Sequence, residues 1–179
     1  MADPLGTIET QLQGSGRRSQ PPLEQWNPPL SGDIDIVIRA DGEWTHEGSI
    51  FRRKAIVDLF STILRREADG EYYLVTPVEK WRITVKGHAL QVIDISRDPG
   101  SDHLIARLNH GPDIIIGEDH PLCPSEGSDV PWLACRNGLS AALSRSVWYR
   151  LVDDAVEHGG TLIVNSGTWR YALGPAPAP

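Results

Sequence analysis

Three consecutive cations, Arg52, Arg53 and Lys54, are the side chains whose type and spacing point most directly to chemistry. They follow Gly48-Ser49, where the serine hydroxyl can accept from an orphan amide and cap a helix. So placed, they fall in the first helical turns, where the macrodipole is positive and each cation costs about 0.3 to 1 kcal/mol unless an anion is near. A bound phosphate or carboxylate would remove that cost, as would Glu47 or Asp58. Solvation or pairing within the protein is the plainer account. Glu79 and Lys80, in the TPVEK segment ahead of Trp81-Arg82, either line a groove with Arg53 or form a hairpin ion pair. The candidate ligand-binding set is therefore Arg52, Arg53, Lys54, Glu79, Lys80 and Arg82.

Other constellations are weaker. Asp33 and Asp35 share one face of a strand, but no third ligand or partner base accompanies them, and turn capping and simple exposure explain them. His120, Cys123 and Cys135 match no zinc spacing and lack a fourth ligand, so no metal and no cofactor is expected. His46, His103 and His110 read as ordinary strand or surface histidines. There is no G-x-S-x-G elbow, phosphate loop or dinucleotide fingerprint, and Gly14-Ser15-Gly16 has no preceding strand to hold it. No catalytic residue is assigned.

The elements that must position these residues are legible in part. In GDIDIVIRADGEW, Ile34, Ile36 and Ile38 alternate with polar positions, and Asp41-Gly42 marks a hairpin into a strand at Trp44. A helix from Ser49 follows, with Ile56, Leu59, Phe60, Ile63 and Leu64 on one stripe and Arg65-Arg66 at its carboxyl end. Strands are expected at Tyr72–Val75 and Trp81–Val85. From 87 to 122, short apolar runs divided by Pro99-Gly100 and Gly111-Pro112 indicate an antiparallel meander, joined by the connection PLCPSEGSDVP to a strand at Trp132. A helix is expected over Ser146–His158, with Val156 facing inward, and a closing hairpin over Leu162–Val164 and Trp169–Leu173.

The two halves answer one another. Residues 44–85 align without a gap with residues 132–173, Trp44 against Trp132 and Trp81-Arg82 against Trp169-Arg170. The fold class is α+β: two repeated strand-helix-strand-strand motifs with an antiparallel meander between them. Four of the six tryptophans occupy equivalent repeat positions, which favours packing over a stacking surface for sugars or bases. The expected organisation is a disordered tail over 1–25, a first α+β unit over 26–111, a second over 112–173 packed on the first, and a disordered tail over 174–179.

Composition bounds the function. With 179 residues, 40% hydrophobic and 23% charged, the chain can bury a real core. A formal net charge of -7 argues against nucleic acid and anionic membranes as partners, because phosphate binding needs clustered Lys and Arg. No apolar run approaches the roughly 18 residues of a span and the amino end lacks a signal-peptide core, so no membrane insertion and a cytoplasmic location are expected. Two cysteines are too few for a disulfide framework, although a single Cys123–Cys135 bond stays open.

WNPPLSGDIDIVIRADGEW, followed by GSIFRRKAIVDLF and YYLVTPVEK, resembles a bacterial family known as domain of unknown function 1285, over about Trp26 to Leu173. Leu30-Ser31 precede Gly32 where a Cys is frequent in that family, so a role for that thiol does not carry over. The resemblance implies an α+β fold of two repeated motifs with some likeness to pleckstrin-homology modules and a part in signalling. It implies no catalytic residues.

The leading reading is a non-enzymatic binding or regulatory module that recognises an acidic small molecule or a protein segment through the first copy. The second copy has Arg145 and Arg150 at most and is read as structural. The alternatives are a small-substrate enzyme in an inter-unit cleft, with Glu79 as acid/base and Arg53 as anion clamp, and a structural subunit that associates with itself or a partner through an edge strand.

Overall fold

The alternating isoleucines open the first sheet. In the computed structural model, which describes residues 4–13 and 21–176, β1 (Leu30–Ile38) buries Ile36 and Ile38 while Asp33 and Asp35 face solvent. It pairs antiparallel with β2 (Trp44–His46) across the Asp41-Gly42 turn, as the sequence indicated. Glu47 and Gly48 both take positive φ and turn the chain directly into β3 (Ser49–Ile50), with His46 opposite Ser49. Ser49 is thus a strand residue and not the expected helix cap.

The helix α2 (Lys54–Ser61) starts five residues later with Arg53 at its N-cap and no side chain closing the amide end. It buries Val57 and Phe60 and ends early, where the hydroxyls of Ser61 and Thr62 donate to the carbonyls of Asp58 and Leu59. Ile63 and Leu64 are fully buried, but Leu64 and the two arginines expected at the helix end form strand β4 (Leu64–Arg66). β4 pairs with β5 (Tyr72–Val75) and β5 with β6 (Lys80–Val85), all antiparallel. β6 then lies parallel to β1, a pairing the sequence did not suggest, and the sheet order is β3-β2-β1-β6-β5-β4.

The amino-terminal region is more ordered than expected. Residues Pro4–Gln13 form helix α1, which packs on α2 with Ile8 fully buried. Leu23 is buried in a short 3-10 turn, and Arg65 ties that entry down by donating to the carbonyls of Leu23 at 2.7 Å and Trp26 at 2.9 Å. Two apolar anchors and one cation thus hold a segment whose composition alone promised none. The Gly14-Ser15-Gly16 stretch and the last residues of the chain lie outside the described residues.

The chain divides into two units at Ala89–Leu90, and Asn137–Leu139 belongs to the first. The meander expected to close the first unit therefore belongs to the second. It comprises β7 (Leu90–Arg97), β8 (Leu104–Leu108) and β9 (Ile114–Ile115), and β7 pairs parallel with β12 (Ser140–Leu143). The PLCPSEGSDVP connection is itself a hairpin of β10 (Leu122–Ser125) and β11 (Ser128–Ala134), giving the order β10-β11-β12-β7-β8-β9. Pro124 is tolerated because β10 is an edge strand and needs no outward N–H.

Helix α3 (Arg145–Asp153) is capped by Ser144, whose hydroxyl accepts from the Val147 amide at 3.3 Å, and it buries Val147 and Leu151. It stops before the expected His158. Val156 is exposed on β13 (Val156–His158), which joins β14 (Thr161–Ser166) and β15 (Trp169–Pro175) in an antiparallel sheet. The α+β class with a repeated motif holds: α2 answers α3, and β4-β5-β6 answer β13-β14-β15. Two six-stranded sheets and a curled three-stranded half-barrel accord with the pleckstrin-homology likeness. Of the repeated tryptophans, Trp44 is buried, while Trp81, Trp132 and Trp169 are half-buried.

Candidate functional site

The β2-β3 hairpin and the start of α2 are short, so the chain turns twice within a few residues and leaves a concave corner. A cavity of about 330 Å³ opens there. Its body is apolar: Ile50, Phe51, Ile56 and Phe60, with Leu5 and Gly6 of α1 forming one wall. Phe51 meets Phe60 edge to face with ring centroids 6.0 Å apart, and the His46 ring lies 6.0 Å from Phe51 on the other side. Ser49, Arg52 and Arg53 supply the rest of the described lining. Both arginines are exposed, and neither makes an ion pair among the described residues. Among the described residues no carboxylate lines this cavity.

The other candidate residues are arranged differently. Lys54 is at the first position of α2, where its ammonium holds the Asp58 carboxylate at 2.8 Å one turn on, so that an acidic side chain of the same helix already neutralises it. Lys80 is largely buried, 14% exposed at its side chain, and binds Glu67 at 3.0 Å while lying 4.9 Å from the centre of the Tyr73 ring. Arg65 donates to the same carboxylate. Burial alone would raise the Glu67 pKa, but hydrogen bonds and charge from Arg65 and Lys80 outweigh it and hold the carboxyl below its ordinary range. Arg82 grips Asp33 with two hydrogen bonds of 2.6 and 3.1 Å, which lowers the Asp33 pKa and raises that of Arg82. Glu79 accepts from the Trp81 indole at 3.4 Å. Lys80 and Arg82 lie on β6, separated from β3 by β1 and β2, and none of Glu79, Lys80 and Arg82 lines the cavity.

The remaining groups offer no reactive constellation. Burial pushes the Cys135 thiol up to about 12 and raises that of Cys123, and both are free thiols. His120 Nδ1 lies 3.2 Å from the Ala134 carbonyl. Among the described residues no three His, Cys, Asp or Glu side chains gather in a way that could hold a metal. No helix among them is long and apolar enough to cross a membrane.

The second unit has a cavity of about 380 Å³ lined by Arg97, Leu104, Arg150 and Asp154 among others. Its cations are engaged: Arg97 pairs with Asp102 at 3.1 Å and with Asp154, and Arg150 pairs with Asp94 and donates to the Ile95 carbonyl. Guanidiniums neutralised in this way fasten α3 and its following turn to β7. Arg145, at the first position of α3, is exposed and makes no ion pair among the described residues, but it does not line this cavity.

The N-terminal domain of the DUF1285 family, a domain of unknown function, matches residues 21–88, and the C-terminal domain of the same family matches residues 87–173. The chain belongs to the DUF1285 family. A crystal structure of a DUF1285 family protein from Silicibacter pomeroyi DSS-3 is similar over 98% of this chain and 97% of that one, with 32% identity and a TM-score of 0.82. Another, from Shewanella baltica OS155, is similar over 66% of this chain and 90% of that one, with 27% identity and a TM-score of 0.55. No curated protein matches the chain. The DUF1285 N-terminal domain contains β3, Arg52, Arg53 and α2, whereas α1 precedes the matched segment.

Sequence reasoning found the two arginines but missed the aromatic set beside them. His46, Phe51 and Phe60 have no common periodicity, because they come from a strand, a connection and a helix. The Lys80–Glu67 pair was missed for a related reason: Glu67 is remote in sequence and is brought opposite by the β4-β5-β6 meander.

Proposed function

We propose that the chain is a cytoplasmic binding module with a regulatory role, and that its first unit captures an acidic ligand at the corner between β3 and α2. One observation carries this reading: Arg52 and Arg53 stand without an acidic partner among the described residues, on the lining of a cavity that has an aromatic floor. Cations left unneutralised beside the positive end of a helix are disfavoured in isolation, and an anion relieves both effects at once. Pockets that combine an apolar body with a few convergent polar groups are the usual setting of small-ligand sites. Among the described residues no carboxylate lines the cavity and Glu79 lies outside it, which favours binding over acid/base catalysis.

The test is a thermal-shift screen of the full chain against phosphorylated metabolites, nucleotides and mono- and dicarboxylates. A ligand that binds only the native state raises the melting temperature by mass action. The expected outcome is a dose-dependent rise with at least one acidic class that disappears in Arg53→Ala. Equal rises in the wild type and the variant would reject the corner as the site.

A further inference from the structure

We infer that the ligand of this corner is a small amphipathic acid, a single oxyanion head on an alkyl or aryl body, and that its binding is coupled to the docking of α1. The inference rests on the proposed function above and narrows it. The lining excludes other classes by chemistry. An inorganic anion would satisfy Arg52 and Arg53 but leave Phe51, Phe60 and Ile56 against water, forfeiting the gain from covering apolar surface. A neutral hydrocarbon would cover that surface and leave both guanidiniums without a partner. A dicarboxylate or polyphosphate would place its second charge against the phenyl rings, where the described lining offers only His46 and the Ser49 hydroxyl as donors and no further Lys or Arg. One charged end and one apolar end match the two parts of the cavity.

The coupling follows from α1. Leu5 and Gly6 of that helix form part of the wall, and Ile8 is the buried anchor that holds it to the unit. With ten residues, α1 is shorter than the roughly 12 to 15 at which isolated helices become even marginal in water, and Gly6 lowers its propensity further. Its helicity therefore depends on docking. A ligand body seated between α1 and α2 touches both only in the docked state, so it favours that state, and by linkage undocking weakens the ligand. α1 thus walls a corner whose other lining residues lie within the segment matched by the family's N-terminal domain.

The experiment measures binding of octanoate, octyl phosphate, octanol, acetate and inorganic phosphate to the full chain by calorimetry, with hydrogen exchange of residues 5–12 followed in parallel. Octanoate or octyl phosphate is expected to bind at least about tenfold more tightly than octanol, acetate or phosphate, and to slow α1 exchange by a similar factor. Whichever of the two binds better identifies the head group. Ile8→Asp, verified as folded by circular dichroism, is expected to lose about tenfold in affinity for that compound. Binding with unchanged α1 exchange and full affinity in Ile8→Asp would overturn the coupling and leave the acidic-ligand reading standing. Equal affinity for acetate and octanoate would overturn the amphipathic class. Undiminished octanoate binding in Arg52→Ala/Arg53→Ala would reject the acidic-ligand reading itself, and failure of the wild type to bind either octyl compound would reject this inference.

Discussion

Lys80 Nζ lies 3.0 Å from Glu67 Oε2 and 4.9 Å from the centre of the Tyr73 ring, so the lysine of TPVEK is a largely buried structural cation between β6 and β5. Arg65 shares the Glu67 carboxylate and anchors the 3-10 turn at Leu23. One carboxylate thereby links β4, β6 and the entry to the first unit.

Removing one partner from such a cluster leaves a poorly solvated charge behind. Lys80→Ala is expected to destabilise the first unit by about 1 to 3 kcal/mol, less than for a fully buried pair because both side chains keep some water contact. Urea denaturation followed by Trp fluorescence measures it. Lys80→Met, which keeps the packing against Tyr73, is expected to lose most of the same amount.

The acid limb of stability should report on Glu67. Its carboxyl is held below the ordinary value of 4.5, so its contribution is complete above that pH and is lost as pH falls through the lowered folded value. Glu67→Gln is expected to flatten the dependence of the unfolding midpoint on pH below 4.5 and to lower the midpoint at pH 7.

At the alkaline end the hydrogen bond to Asp69, with burial second, pushes the Tyr73 phenol up to about 12. The raised value means stability is full below the ordinary 10.0 and falls as pH rises toward 12. Burial also raises the Tyr171 phenol, so absorbance at 295 nm should show a late step toward pH 12 that Tyr73→Phe diminishes by one tyrosine.

Gly138 has φ of 70°, and a Cβ there would lie 2.8 Å from the Arg66 carbonyl oxygen. Gly138→Ala is therefore expected to cost about 1 to 3 kcal/mol from the strained backbone alone, with the clash adding to it. Gly127→Ala is the control, since its φ is 69° but nothing lies within 4 Å, and it should cost less.

Much of this was legible in the residues. The Ile36-Ile38 alternation, the Asp41-Gly42 turn and the Tyr72 and Trp81 strands read correctly because each signal is local. Ser49 misled because Glu47 and Gly48 turn the chain into β3 first. Val156 misled because the apolar period of α3 continues past its actual end at Asp153. Prolines in PLCPSEGSDVP disguised a hairpin whose Glu126-Gly127 turn was in plain view. At the site, Arg52 and Arg53 announced themselves by charge, but the cavity beside them needs β2, α1 and α2 brought together, and no spacing in the sequence encodes that.

Arg52 and Arg53 have no acidic partner among the described residues, so truncating them should not harm the empty fold. Arg53→Ala is expected to keep the wild-type melting temperature or raise it, within about 0.3 to 1 kcal/mol, by removing a cation from the positive end of α2. A clear loss of stability would make Arg53 a structural ion pair.

The most direct test of the binding corner is a titration of uniformly 15N-labelled full chain with octanoate, followed by amide chemical shifts. The account predicts saturable shifts concentrated in residues 46–60 that vanish in Arg52→Ala/Arg53→Ala. Shifts concentrated elsewhere in the chain, or the same shifts in the double variant, would contradict it.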